Sequence, residues 1–198
     1  MTTHQAVQES AAIRRARHDD LASAADTLAE AFADYAWTRW VIPEHDYSAR
    51  LRELQELYLR HAHAHGVVLV TEDLAGVIAL LPPNAPDPDA AVMQRIIALH
   101  GDRLPRLAQG ETNEPDDASG DAWRLETIGV CRVHRGRGVG AALIARGLQL
   151  AGEAGATAVT LETSDARNVA LYERMQFQVV HHSTPAEGPP HWSMRAEC

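Results

Sequence analysis

The chain contains no lysine; all 18 of its basic residues are arginine. A phosphate loop of the Walker type needs a lysine directly after its glycines, so that nucleotide chemistry is excluded. The two cysteines, Cys131 and Cys198, lie far apart and offer neither a disulfide framework nor zinc-ligand spacing. No apolar run reaches the roughly 18 residues of a membrane span, and the N-terminal stretch lacks the apolar core of a secretory signal. Positive charge is in deficit. A formal net charge of -9 argues against a nucleic-acid partner, whose phosphates need clustered cations. The expectation from these absences is a cytoplasmic protein with no membrane or nucleic-acid partner.

What remains is ordinary for a folded domain: 198 residues, 45% hydrophobic and 23% charged. That length fits one domain with a substantial core. Residues 1–10 are polar and read as a disordered lead, leaving 11–198 as the domain. Ile13 to Arg17 reads as a short strand. Asp19 and Asp20 then offer N-caps to a helix with Leu21, Ala24, Leu28, Phe32 and Tyr35 at helical spacing. Trp37, Trp40, Val41 and Ile42 read as an apolar linker ending at Pro43. A second helix, Tyr47 to His65, carries Leu51, Leu54, Leu57 and Tyr58 and stops at Gly66. Val67 to Thr71 and Ala75 to Leu81 form a hairpin, and prolines then separate it from a third helix around Val92 to Leu99. Residues 108–121 are acidic and turn-rich, as in a mobile surface loop.

The last third is best patterned. Strands are expected at Trp123 to Val130, Ala158 to Glu162, Phe177 to His181 and His191 to Arg195, and helices at Val139 to Ala154 and Asn168 to Met175. Hairpins followed by alternation imply a mixed sheet with helices on both faces.

Between the strand ending at Val130 and the next helix lies Arg135-Gly136-Arg137-Gly138-Val139-Gly140-Ala141. Alternate glycines before a helix let backbone N–H groups face a bulky anion, and the helix dipole and two arginines add to the attraction. Gly136, Gly138 and Ala141 also satisfy the dinucleotide pattern. A dinucleotide fold, however, places that turn after its first strand, not this late in the chain. Downstream, Asn168 and Tyr172 are four residues apart on one helical face, an amide and a phenol able to bind a ligand and deliver a proton. Asn168 is also a possible helix cap.

With these two motifs the chain resembles the GNAT superfamily of acetyl-CoA-dependent N-acetyltransferases. Arg135, Gly138 and Gly140 match the family's Arg/Gln-x-x-Gly-x-Gly/Ala signature, and Asn168, Tyr172 and Phe177 match a later one. Gln176 stands where that second motif has glycine before Phe177, at a helix end that favours a left-handed turn. Further segments, among them Ala31-Phe32-Ala33-Asp34-Tyr35 and Glu187 to Met194, are similar to the puromycin N-acetyltransferase subfamily.

The resemblance implies an α/β GNAT fold: a mixed, mostly antiparallel sheet whose fourth and fifth strands splay apart to admit pantetheine. Ile128, Gly129 and Val130 would then pair with the pantetheine amides, and the turn from Arg135 to Ala141, with Asn168, would complete the acetyl-CoA site. Tyr172 would protonate the departing thiolate. Direct attack by a neutral amine needs no metal and no covalent enzyme intermediate. Glu126 and Glu162 are both candidate bases; Glu126 shares a face with Ile128 and Val130 by strand alternation. Phe32, Asp34, Tyr35 and Trp37 combine rings with a carboxylate, as an acceptor pocket for a small amine would.

A puromycin-like aminonucleoside or other antibiotic fits as that amine. A protein or peptide acceptor and a non-catalytic acyl-CoA sensor remain open. His61, His63 and His65 lack a third type of ligand and read as an exposed helix end, and Cys131 reads as a buried small residue rather than a nucleophile. The last strands leave a monomer or a homodimer open.

Overall fold

The computed structural model describes residues 12–109 and 121–198. The lead at 1–10 and nearly all of the acidic 108–121 stretch lie outside these residues. Ala108 and Gln109 close a 3-10 segment, Gly101–Gln109.

Among the described residues seven strands form one sheet: β1 (Ile13–Arg15), β2 (Val67–Thr71), β3 (Gly76–Leu81), β4 (Trp123–Val130), β5 (Ala158–Thr163), β6 (Gln178–Ser183) and β7 (His191–Glu197). Their order is β1-β2-β3-β4-β5-β7-β6. Only β4 and β5 run parallel, and the other neighbours are antiparallel. The final strand is thus inserted between β5 and β6 of its own chain.

Among the described residues six α-helices accompany the sheet: α1 (Leu21–Phe32), α2 (Ala36–Val41), α3 (Tyr47–His65), α4 (Ala90–His100), α5 (Val139–Glu153) and α6 (Ala166–Arg174). The unbroken apolar runs of β2 and β3 are explained by burial on both faces. Val67, Leu69, Ile78 and Leu80 pack toward Leu143 and Ile144 of α5. Val68, Val70, Val77 and Ala79 pack toward Leu21, Leu28 and Leu59 of α1 and α3. A smaller cluster joins α2, α3 and α4 through Val41, Ile42, Leu51, Leu54, Ile96 and Leu99. It forms a wall standing off the sheet.

Several local expectations are corrected. The stretch Trp37 to Ile42 is not a linker: Ala36–Val41 is helical, with Thr38 Oγ1 donating to Phe32 O and Tyr35 O. Tyr35 lies past the end of α1, so its ring follows the corner and not the helical stripe. Neither aspartate caps α1 with its side chain; Asp20 instead accepts from the Arg17 N–H at 2.7 Å and binds Arg14 at 2.6 Å. Helix α6 begins two residues early because Asp165, not Asn168, caps it by accepting from the Arg167 N–H at 2.9 Å. β1 ends at Arg15, β5 reaches Thr163 and β7 reaches Glu197.

Candidate active site

The parallel pairing of β4 with β5 covers Trp123–Val159, Arg124–Thr160 and Leu125–Leu161, and then stops. β4 runs on to Val130 and β5 to Thr163, so the strands diverge and leave a wedge open at their C-terminal ends. The divergence begins beside an irregularity. On β3, Ala79 pairs with Thr127 and the next residue, Leu80, pairs with Leu125, which leaves Glu126 without a partner. This bulge breaks the two-residue alternation, so the expected shared face of Glu126, Ile128 and Val130 does not hold. Leu125, Glu126, Thr127 and Ile128 instead all line the same cavity.

At the far end of β4 the chain enters the glycine turn. Gly136 (φ 74°) and Gly138 (φ 82°) both adopt left-handed backbone, which favours glycine strongly. A Cβ added at either would meet no atom within 4 Å, so the space above the turn is open. Gly138 caps α5, and the first helical bond is Ala142 N–H to Gly138 O at 3.0 Å. The N–H groups of Val139, Gly140 and Ala141 precede that bond and have no partner inside the helix.

Arg135 does not face this space. Its guanidinium donates to Val130 O at 3.0 Å and Ala31 O at 3.1 Å, tying the turn to β4 and α1. Arg137 is exposed. Gly129 has a packing reason for its identity: a Cβ there would lie 2.8 Å from both Ala31 Cβ and Leu28 Cδ2. Cys131 is half-buried rather than buried, with its Sγ 3.0 Å from His134 Nδ1.

The wedge opens into a cavity of about 260 Å³ bounded by the splayed strands and by α2, α3 and α4. Tyr172 and Asn168 lie on its lining, as the four-residue spacing predicts. Tyr172 is buried, its ring set edge-on to Phe177 at 5.7 Å. Burial, reinforced by nearby Tyr35, raises its phenol pKa and keeps the proton on. Asn168 Nδ2 donates to Thr163 Oγ1 at 3.3 Å.

Both candidate bases reach the lining. Glu126 pairs with the guanidinium of Arg124, while Glu162 Oε1 lies 3.1 Å from Nε2 of buried His191. That approach is too oblique for an aligned hydrogen bond, and both nitrogens of His191 lack one. Burial, with the Glu126 charge adding, pushes the phenol of Tyr58 up to about 12.

The acceptor-side residues divide. Phe32 and Trp37 line the cavity, Trp37 with its ring 6.2 Å from that of His191. Tyr35 contributes its ring, but its hydroxyl is engaged: it accepts from Ser164 N–H at 2.5 Å and lies 3.1 Å from Thr163 Oγ1. Asp34 does not belong to the lining. It is exposed and held at the surface by Arg132 at 2.7 Å and Arg39 at 3.7 Å. The cluster inferred from one sequence segment fails there because the chain turns a corner after Phe32.

Seven polar lining residues were absent from the sequence-based set: Thr38, Gln55, His100, Thr127, Thr163, Ser164 and His191, each more than nine-tenths buried. Two left a trace in the sequence. Gln55 sits four residues from both Leu51 and Leu59, on the buried stripe of α3, and His100 sits four residues after Ile96 on α4. A polar residue on an apolar stripe was the available signal.

The fold is that of an acetyltransferase. The Acetyltransferase (GNAT) family model matches residues 29–177, and the chain belongs to that family. A solved structure of histone acetyltransferase HPA2 and related acetyltransferase from Corynebacterium glutamicum is 26% identical, with TM-score 0.71, covering 96% of this chain and 97% of that one. Two more distant structures share the fold. One is yncA from Salmonella typhimurium with its cofactor acetyl-CoA, at 16% identity and TM-score 0.55, covering 94% of this chain and 92% of that one. The other is ribosomal-protein-alanine N-acetyltransferase from Brucella melitensis, at 16% identity and TM-score 0.57, covering 94% and 99%. Among the described residues no helix is long and apolar enough to cross a membrane, and no three His, Cys, Asp or Glu side chains converge as metal ligands would.

Proposed function

We propose that this acetyltransferase moves the acetyl group of acetyl-CoA to the amine of a compact small molecule, a puromycin-like aminonucleoside or other antibiotic amine being the class to test first. The observation that carries the reading is one cavity of about 260 Å³ joining the open β4–β5 wedge to an aromatic wall. That volume is below the roughly 300–1,000 Å³ usual for ligand pockets, which favours a small acceptor.

The residues present fit the acyl donor. The open cradle over Gly136 and Gly138 and the free N–H groups of Val139, Gly140 and Ala141 suit a pyrophosphate. Arg135 acts by bracing that turn through Val130 O and Ala31 O. Beyond the last β4–β5 pair, the backbone of Ile128, Gly129 and Val130 offers an unpaired edge for the pantetheine amides. Acetyl-CoA supplies an acetyl group activated as a thioester.

The chain's own groups handle the protons. Glu126 or Glu162, directly or through water, takes a proton from the acceptor nitrogen as its bond to the acetyl carbon forms. Tyr172 gives its hydroxyl proton to the sulfur as the carbon–sulfur bond breaks. Tyr172 fits that role because its raised pKa keeps it protonated, and its hydroxyl has no partner among the described residues. Asn168 keeps the end of β5 in place through Thr163.

A peptide acceptor is the second reading, favoured by the name of the similar Corynebacterium glutamicum structure. Thiol release from acetyl-CoA, followed across aminonucleosides, other antibiotic amines, polyamines and peptides, separates the two. Release limited to peptides contradicts the small-molecule reading. Tight acetyl-CoA binding without release on any amine points to a sensor.

A further inference from the structure

The cavity lining carries polar atoms, two on the α3–α4 wall and one on β4, that no group among the described residues satisfies. Gln55 Oε1, His100 Nε2 and Thr127 Oγ1 are buried with no hydrogen-bond partner among the described residues, and all three residues line the cavity. A buried polar atom left unpaired costs on the order of 1–3 kcal/mol, so three around one space call for a ligand that pairs with them.

Their chemistry defines what such a ligand must carry. The Nδ1 of His100 lies 2.8 Å from Val41 O. A carbonyl can only accept, so Nδ1 carries the hydrogen. Burial lowers the pKa of this imidazole and keeps it neutral, which leaves Nε2 as a bare acceptor. Gln55 Oε1 is an acceptor as well, and Thr127 Oγ1 can serve either way. The charges on the lining are Glu126 and Glu162, and no arginine is among the described lining residues. A ligand carboxylate or phosphate would meet like charge with no cation to offset it. Phe32, Trp37 and Tyr58 also line the cavity and suit a ring.

We propose that the α2–α3–α4 side of this cavity is a specificity pocket for an amine free of carboxylate and phosphate, whose ring body carries an N–H or O–H donor received by His100 Nε2 and Gln55 Oε1. The amine points toward Glu126 and Glu162, and the ring donor toward the helical wall. This rests on reading the cavity as the acceptor side of an acetyl transfer.

Equilibrium binding tests it without requiring turnover. Tyramine, phenethylamine and tyrosine share a ring and an amine and differ in one hydroxyl or one carboxylate. Calorimetry on the CoA-saturated protein is expected to rank tyramine about 10-fold tighter than phenethylamine, and at least about 10-fold tighter than tyrosine. His100→Asn keeps a side-chain N–H for Val41 O but removes the Nε2 acceptor. It should reduce the tyramine advantage over phenethylamine to under about 3-fold, and Gln55→Leu should do so independently of how well His100→Asn folds. Tyrosine binding as tightly as tyramine overturns the proposal, as does a hydroxyl advantage that survives both substitutions. Turnover of all three amines at equal efficiency overturns it while leaving the acetyl-transfer reading intact. The expected ranking in a protein that turns over no amine upholds the pocket and overturns acetyl transfer instead.

Discussion

Tyr35 reaches across the mouth of the wedge to Thr163, its hydroxyl 3.1 Å from Thr163 Oγ1 while it accepts the Ser164 N–H at 2.5 Å. The corner between α1 and α2 is thereby fastened to the end of β5, 128 residues later in the chain. Tyr35→Phe keeps the ring on the cavity and removes only the fastening. It should cost about 1–2 kcal/mol of unfolding free energy and change the KM for the amine little. Denaturant unfolding beside steady-state kinetics checks this; an amine KM that rises with stability unchanged would make Tyr35 a substrate contact.

Two glycines near the proposed donor site should fail in different ways. At Gly138 an added side chain meets nothing but holds a left-handed backbone at φ 82°. Gly138→Val should leave the protein folded and weaken acetyl-CoA binding about 100-fold or more, through displaced N–H donors. At Gly129 an added Cβ lies 2.8 Å from α1 atoms. Gly129→Ala should lose about 1–3 kcal/mol of stability from overpacking. Calorimetric titration with acetyl-CoA and thermal melts distinguish the outcomes.

Gln176 has φ 68°, a non-glycine residue in the left-handed turn that closes α6 before Phe177. Gln176→Gly should relieve about 1 kcal/mol and raise Tm by about 2–4 °C. A scanning melt that moves the other way removes this account of the helix end.

That left-handed turn was legible through the family resemblance, whose motif has glycine where Gln176 stands before Phe177. The sheet was legible in local pattern, since its strands announce themselves by apolar runs at Val67 to Thr71 and Ala158 to Glu162. The glycine turn and the Asn168–Tyr172 pair were legible because local spacing sets them. What escaped the reading depends on contacts between distant segments. The Glu126 bulge is defined by its register against Ala79 and Leu80. The burial of His100 depends on Val41, 59 residues away. Asp34 looked like a pocket carboxylate until the corner after Phe32 turned it toward Arg132.

Acid should act in two separate windows, one set by His100 and one by carboxylates of which Asp20 is the most strongly held. Burial holds His100 neutral, below the ordinary imidazole value of 6.5. Below that pH the unfolded chain takes up a proton that the folded chain excludes, so stability falls as pH drops, by at most about 1.4 kcal/mol per unit. Asp20 is held at about 2 by the Arg14 guanidinium and then the Arg17 N–H. Its contribution is complete above 3.8 and fades as pH falls toward 2. Unfolding free energy measured against pH should lose its upper slope in His100→Asn, while Asp20→Asn should reduce the lower one, which Glu53, Glu56, Asp73 and Asp165 share through their own lowered pKa values.

The proton delivered to the departing sulfur is the centre of the account, and Tyr172 is the group assigned to carry it. The direct measurement is the pH profile of kcat for amine-dependent thiol release in the wild type and in Tyr172→Phe, with acetyl-CoA affinity measured alongside. Loss of the phenol should lower kcat about 100-fold or more across the accessible pH range, leaving acetyl-CoA affinity within about twofold. An unchanged rate and profile in Tyr172→Phe would contradict it.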